Sequence, residues 1–329
     1  MAKYFPIMRG VEVGKSLVLV VHWLPDGELG RWAKEFPHIE FVDAREPEVC
    51  NRRLGEALIT YGLPDVQRWE DAANLRWIQL ASAGVPWALC RPAKEGNIQV
   101  TNLAGLYGPT IAEHALGMML FLGRNLHVAH RNQREGRWDR AVMGTMRDLH
   151  GKTLAIIGLG NIGQNIARLA HAFGMRVLGC RRRLQPTPLV DQVCSPGEIR
   201  GILGEADYVA VAAPLVPQTE GMLGPTEFEA FKPGAVFINV SRGPVVQEPA
   251  LLAALQSGQV AAAGLDVFTV EPLPAEHPFW TMPNVLVSPH YSGETVNNSR
   301  LPAQRFLRNL HAWLANRELE GIVDLDHGY

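Results

Sequence analysis

The stretch "TLAIIGLGNIGQNIARLAHAFGMRVLGCRRR", Thr153 to Arg183, carries the reading of the fold. An apolar run leads directly into Gly158, Gly160 and Gly163, and a helical pattern opens immediately after them. A second apolar run, "MRVLGC" (175–180), closes the unit. Strand, GxGxxG turn, helix and strand in this order form the βα turn that receives a dinucleotide. The first glycine permits the tight turn, the second lets the backbone approach a pyrophosphate, and the third allows close helix–strand packing. The helix N-terminus, opening with Asn161 and Ile162, favours the phosphate charge.

A carboxylate that binds the adenine ribose of NAD is expected about twenty residues past the glycines. Seventeen residues separate Gly163 from Arg181, Arg182 and Arg183, which stand there instead. Three arginines read either as a solvated basic loop or as a site for the 2′-phosphate of NADP. With no acid beside them to repel that phosphate, NADP(H) is the expected cofactor, with NAD(H) as the second choice.

Outward from this unit, short apolar runs alternate with helical patterns along the whole chain. Runs at 16–23, 39–43, 57–61, 76–82 and 98–102 read as the strands of one series. Those at 153–158, 175–180, 207–213, 235–240, 261–267 and 284–288 form a second. A long helix is expected from about Pro109 to Gln133, one over 248–258 closed by a glycine, and a last one from about Thr295 to Ala315. The fold expected is α/β, two doubly wound parallel-sheet domains with a cleft between them. The boundaries read as 1–103, completed by 296–329, for one domain and 104–295 for the dinucleotide-binding domain.

The bulk composition agrees with a globular protein. The 329 residues are 47% hydrophobic and 19% charged, enough for two domains with large cores. A net charge of −2 gives no reason to expect nucleic acid. No run approaches the roughly twenty apolar residues of a membrane span, and no signal peptide is legible, so a cytoplasmic protein is expected. Cys50, Cys90, Cys180 and Cys194 lack CxxC or zinc spacing and read as free thiols. "GVEVGKS" (10–16) has one residue too few between its glycines for a phosphate-binding P-loop. His127 and His130 lack a third ligand, so no metal is expected. Trp138 reads as a packing residue.

Three further segments place ionisable residues after strands: "NVSRGPVV" (239–246), "GLDVFTVEPLPAEHPFWTMPNV" (264–285) and "SPHYSG" (288–293). Arg242, Glu271 and His290 are what reduction of a 2-keto acid needs. Arginine binds the carboxylate and polarises the carbonyl, and histidine protonates the carbonyl oxygen as hydride reaches carbon. Glutamate beside the histidine orients the ring and favours its charged form.

With these motifs the sequence resembles the D-isomer-specific 2-hydroxyacid dehydrogenase family over nearly its whole length, closest in flavour to the glyoxylate/hydroxypyruvate reductases. "INVSRGPVVQEPAL" is similar to the family's arginine motif and "GLDVF…EPLP…PNVLVSPH" to its glutamate–histidine signature. The resemblance implies a Rossmann cofactor domain and a flavodoxin-like substrate domain. It implies catalytic roles for Arg242, Glu271 and His290, and cofactor contacts from Pro214 (in "AAPLVPQTEGMLG"), Val240, Ser241 and Asp266, the last holding the nicotinamide carboxamide. "LASAGVPW" (80–87) resembles the loop whose backbone, Ser82, Ala83, Gly84 and Val85, meets the substrate carboxylate. Pro86 and Trp87 follow where the family often has aspartate, and Tyr291 after the histidine adds a bulky wall to the pocket. A homodimer is implied, with Trp138 allowed to reach a partner's site. Transcriptional corepressors share this fold, so a dinucleotide-sensing regulator is the alternative to an enzyme.

Overall fold

Apolar residues in unbroken runs, rather than alternating ones, mark strands covered on both faces. "SLVLV" is the first of them, and all five of its residues are buried. The structure is a computed structural model that describes residues 16–64, 69–296 and 300–327. The P-loop-like stretch therefore lies outside the described residues except for Ser16. The chain divides into two compact units, one from the described residues of 1–106 and 295–329, the other Tyr107–Glu294.

The first unit comprises β1 (Ser16–Val20), α1 (Glu28–Glu35), β2 (Ile39–Asp43), α2 (Pro47–Arg53), β3 (Ile59–Tyr61), β4 (Trp77–Gln79), α3 (Trp87–Glu95) and β5 (Gln99–Thr101). Its sheet is parallel throughout, in the order β2-β1-β3-β4-β5. That is the flavodoxin-like doubly wound order. The C-terminal helix, Leu301–Leu314, joins this unit's core through Phe306, Leu310 and Trp313. The indole of Trp77 stacks between Phe306 and Trp313, with centroids 5.4 and 5.3 Å away.

The second unit comprises α4 (Gly108–Gly123), α5 (Leu126–Arg134), β6 (Thr153–Ile157), α6 (Asn161–Ala172), β7 (Arg176–Cys180), β8 (Gln192–Cys194), α7 (Ile199–Glu205), β9 (Tyr208–Val211), α8 (Pro225–Glu229), β10 (Ala235–Asn239), α9 (Glu248–Ser257), β11 (Val260–Leu265) and β12 (Val285–Val287). Its seven strands are parallel and ordered β12-β11-β10-β9-β6-β7-β8, the Rossmann order with one added edge strand. The winding reverses at β6, which pairs with β7 on one side and β9 on the other. Ligands of such sheets bind at that switch point, beyond the carboxyl ends of the strands.

Four sequence expectations need correction. The single helix from Pro109 to Gln133 is two helices, because Asn125 adopts a left-handed conformation (φ 52°) and ties its Nδ2 to Thr145 Oγ1. Asparagine is one of the few side chains that tolerate that region. The edge strand β8 was not anticipated. The last helix begins at Leu301, beside Pro302, rather than at Thr295. Trp138 does not pack within the chain: it is 95% exposed, in irregular backbone after α5. All four cysteines are buried and none forms a disulfide, and burial pushes the Cys180 thiol up to about 12. Among the described residues no helix is long and apolar enough to cross a membrane.

Candidate active site

The three glycines of the turn after β6 answer three different constraints. Gly158 has φ 101°, and a Cβ there would lie 2.6 Å from the Ala213 nitrogen. A Cβ on Gly163 would come within 2.0 Å of the Gly158 carbonyl oxygen, so α6 could not approach the strand. Gly160 is the opposite case, because a Cβ there would meet no protein atom within 4 Å. Gly160 is also the N-cap of α6, and no side chain caps that end. The first helical hydrogen bond runs from Gln164 N–H to the Gly160 carbonyl at 3.0 Å, leaving the amides of Asn161, Ile162 and Gly163 ahead of the ladder. Open space over one glycine, faced by an uncapped helix end, fits a dinucleotide's pyrophosphate.

Arg181 is the first residue after β7, at the far end of this edge. Its Nη1 donates to Thr187 Oγ1 at 3.1 Å, and the Gln185 amide oxygen, suitably turned, accepts from the guanidinium at 3.1 Å. Both partners are neutral, and no carboxylate pairs with Arg181 among the described residues. Its charge is held in place but left uncompensated. Arg182 and Arg183 are exposed beside it. Pro214 follows β9 and is exposed, with its carbonyl accepting from Thr219 Oγ1 at 2.6 Å.

On the other side of the switch point, β10, β11 and β12 are adjacent, and each ends in part of the expected catalytic set. Five strand spacings of about 4.8 Å separate β7 from β12, so Arg181 and His290 stand at opposite ends of one edge. His290 Nδ1 lies 2.7 Å from Glu271 Oε2. The other glutamate oxygen accepts from the Phe268 N–H at 2.9 Å, which fixes the carboxylate against its own turn. Arg242 is half-buried, with Nη1 donating to the Ser241 carbonyl at 2.6 Å. Burial pushes its pKa below the ordinary arginine value, and the Glu271 charge acts in the opposite direction. A Cβ on Gly243 would fall 1.9 Å from the Phe268 carbonyl carbon, so only glycine lets the arginine loop and the glutamate turn meet this closely.

Val240 and Ser241 are buried, leaving their backbone as the part that could meet a cofactor. Asn239, which the sequence reading did not single out, shapes this loop. Its Oδ1 accepts from Ser241 N–H and Oγ at 3.1 and 2.9 Å, and its Nδ2 donates to the Arg242 carbonyl at 3.2 Å. Asp266, expected at the nicotinamide carboxamide, has no exposed side-chain surface. Its Oδ1 accepts from Ser288 Oγ and Tyr291 N–H, and its Oδ2 from Ser292 N–H. Its carboxylate therefore organises the loop carrying His290. Tyr291 is half-exposed, its ring edge-on to His114 at 5.6 Å. His114 was also not anticipated, although a histidine half-buried among the apolar residues of α4 is a signal that could have found it.

In the other unit, Ser82–Val85 lie between β4 and α3, beyond the carboxyl end of a strand. Ser82 Oγ donates to the Gly84 carbonyl, Asn102 Nδ2 to the Ala83 carbonyl (both 2.8 Å), and Leu103 N–H to the Ser82 carbonyl at 2.9 Å. The carbonyls of Ser82, Ala83 and Gly84 are thus engaged. The loop's Ala83, Gly84 and Val85 amides donate to no protein acceptor among the described residues.

Comparisons with known proteins agree with this arrangement. Residues 116–292 match the model of the D-isomer specific 2-hydroxyacid dehydrogenase NAD binding domain. A glyoxylate reductase from Korarchaeum cryptofilum is 33% identical over 293 residues, covering 87% of this chain and 86% of that one. Glyoxylate/hydroxypyruvate reductase B from Klebsiella pneumoniae subsp. pneumoniae is 32% identical over 292 residues, covering 85% of this chain and 90% of its own. A D-isomer specific 2-hydroxyacid dehydrogenase from Xanthobacter autotrophicus Py2, solved with NADPH and MES, superposes with a TM-score of 0.78 at 29% identity over 95% of this chain and 99% of that one. With a Rossmann sheet, the glycine turn and the arginine–glutamate–histidine set on one edge, this chain belongs to the D-isomer specific 2-hydroxyacid dehydrogenase family.

Proposed function

We propose that this protein reduces a small 2-keto acid of the glyoxylate/hydroxypyruvate class to the D-2-hydroxy acid, with NADPH preferred over NADH. The observation that carries the reading is the 2.7 Å contact between His290 Nδ1 and Glu271 Oε2 at the ends of neighbouring strands. With Nδ1 committed to the carboxylate, Nε2 is the ring nitrogen left to deliver a proton. Arg242 would bind the substrate carboxylate and polarise the keto oxygen, and its partial desolvation strengthens both interactions. Within the other unit, the backbone amides of Ala83, Gly84 and Val85 are donors of the kind a substrate carboxylate takes.

The dinucleotide, when bound, supplies the hydride that reaches the keto carbon. Gly160 and the start of α6 would hold its pyrophosphate, and Arg181, with Arg182 and Arg183, the 2′-phosphate. Arg181 is poised for a phosphate because its present partners are neutral acceptors. The Xanthobacter relative was solved with NADPH, which supports the same preference. The unit Tyr107–Glu294 thus acts as cofactor domain and the other as substrate domain. A homodimer is inferred from the exposed Trp138, Met143 and Met146, an apolar group left uncovered in the single chain. Light scattering that gave a monomer at micromolar concentration would refute it.

Initial rates on a panel of 2-keto acids, each with NADPH and NADH, test the main reading, with the product's configuration assigned by chiral chromatography. D-2-hydroxy acid formed faster with NADPH is the expected result. A dinucleotide-sensing regulator would bind NADPH without turning over any member of the panel.

A further inference from the structure

His290 sits in backbone that a histidine rarely adopts, with φ 52°. Such a conformation persists only where the surroundings over-determine it. Here three successive amides converge on one residue. His290 N–H donates to the Asp266 carbonyl at 2.8 Å, Tyr291 N–H to Oδ1 at 3.1 Å and Ser292 N–H to Oδ2 at 2.9 Å. Ser288, two residues before His290, donates its hydroxyl proton to the same Oδ1 at 2.5 Å.

One side chain from a different element touches this loop on both sides of His290. His114, on α4, places Nε2 3.1 Å from Ser288 Oγ and meets the Tyr291 ring edge-on at 5.6 Å and 89°. The direction of the first contact follows from the chain of donors. The hydroxyl proton of Ser288 is committed to Asp266, so its oxygen must accept, and His114 must carry its proton on Nε2. Burial lowers the pKa of His114, with the Asp266 charge partly opposing, and the ring can donate from Nε2 in either protonation state.

We propose that His114 is a positioning residue for His290, bracing the loop at Ser288 and Tyr291 so that the strained histidine stays on Glu271. The inference rests on the reading of His290 as proton donor. It assigns a function to a helix that the glycine turn and the catalytic motifs leave out. Without the brace the loop still folds around Asp266, but the histidine visits conformations in which Nδ1 leaves the carboxylate.

The test is a mutant cycle on the full-length protein with glyoxylate and NADPH. His114→Phe keeps a ring against Tyr291 and removes the donor, and Ser288→Ala cuts the same link from the other side. Each should lower kcat about tenfold, as expected for loss of one aligned hydrogen bond. Binding of NADPH, followed by protein fluorescence, should change less than about twofold, because the glycine turn and Arg181 lie at other strand ends. In a His290→Ala background, His114→Phe should have no further effect on kcat, which a general loss of structure would not reproduce. An unchanged kcat in both single variants, or an undiminished His114→Phe effect in the His290→Ala background, would overturn the proposal. Full activity of His290→Ala itself would remove the underlying reading, so the two failures are distinguishable.

Discussion

Replacing Gly160 and Gly163 separately by alanine should divide folding from cofactor binding. Gly160 has φ −78°, ordinary for any residue, and a Cβ there enters open space. Gly160→Ala should therefore leave stability within about 1 kcal/mol of wild type, or raise it slightly by restricting the unfolded chain. The same methyl group would occupy the volume through which the backbone reaches the pyrophosphate. Displacing that phosphate from one of the amides at the start of α6 removes a charge-assisted hydrogen bond of about 1.5–3 kcal/mol. The dissociation constant for NADPH should rise about 10- to 150-fold. Gly163→Ala should do the reverse, because its Cβ would sit 2.0 Å from a carbonyl oxygen and force α6 off the strand. Overpacking of that kind costs about 1–3 kcal/mol, or more where only backbone can yield. Scanning calorimetry without ligand and NADPH titration followed by protein fluorescence measure the two effects. Wild-type NADPH affinity in Gly160→Ala would refute the placement of the pyrophosphate. A fully stable Gly163→Ala would refute the packing account.

The other predictions concern the charged groups. Arg181→Asp should weaken NADPH by about 10- to 100-fold relative to NADH, since it exchanges a phosphate partner for a ribose partner. A specificity ratio that does not move would assign the three arginines to solvent. Glu271→Gln keeps an acceptor for Phe268 N–H but removes the charge beside His290. It should lower kcat by about 10–100-fold with NADPH affinity retained, and steady-state kinetics showing a pure KM effect would contradict the role. At Asp207, burial alone would raise the pKa, but the Lys232 ammonium at 2.7 Å and the Thr153 amide at 3.0 Å hold it below the usual value. A depressed carboxylate pKa stabilises the fold at neutral pH, and that contribution disappears as pH falls through the folded-state value. Asp207→Asn should therefore cost about 1 kcal/mol at pH 7, and thermal melts should show the gap from wild type closing below about pH 4. A gap independent of pH would rule out an ionic contribution.

The parts legible in the sequence were those encoded by neighbours in the chain. Gly158, Gly160 and Gly163 are read from spacing because a tight turn between strand and helix is a local constraint. Arg181 follows by counting along one helix and one strand, and Arg242, Glu271 and His290 sit in short motifs that each end a strand. Unbroken apolar runs likewise announce buried parallel strands, although not where hydrogen bonding stops. The strand expected over 16–23 pairs only to Val20, beyond which Trp23 is 52% exposed.

What pairing across the sheet decides cannot be counted along the chain. Placing β10, β11 and β12 side by side is a choice of tertiary order, and it brings a glutamate and a histidine nineteen residues apart to 2.7 Å. The break of the long helix at Asn125 is stabilised by Thr145, twenty residues away. For Asp266 the family resemblance implies a cofactor contact, and its bonds to residues 288–292 show in addition that it organises a loop. His114 is the extreme case, since its hydrogen-bonding partner Ser288 lies 174 residues on. The reason is physical. A turn or cap is determined by dihedral preferences within a few residues, whereas a buried polar group takes its role from whichever donors and acceptors packing brings within about 3 Å.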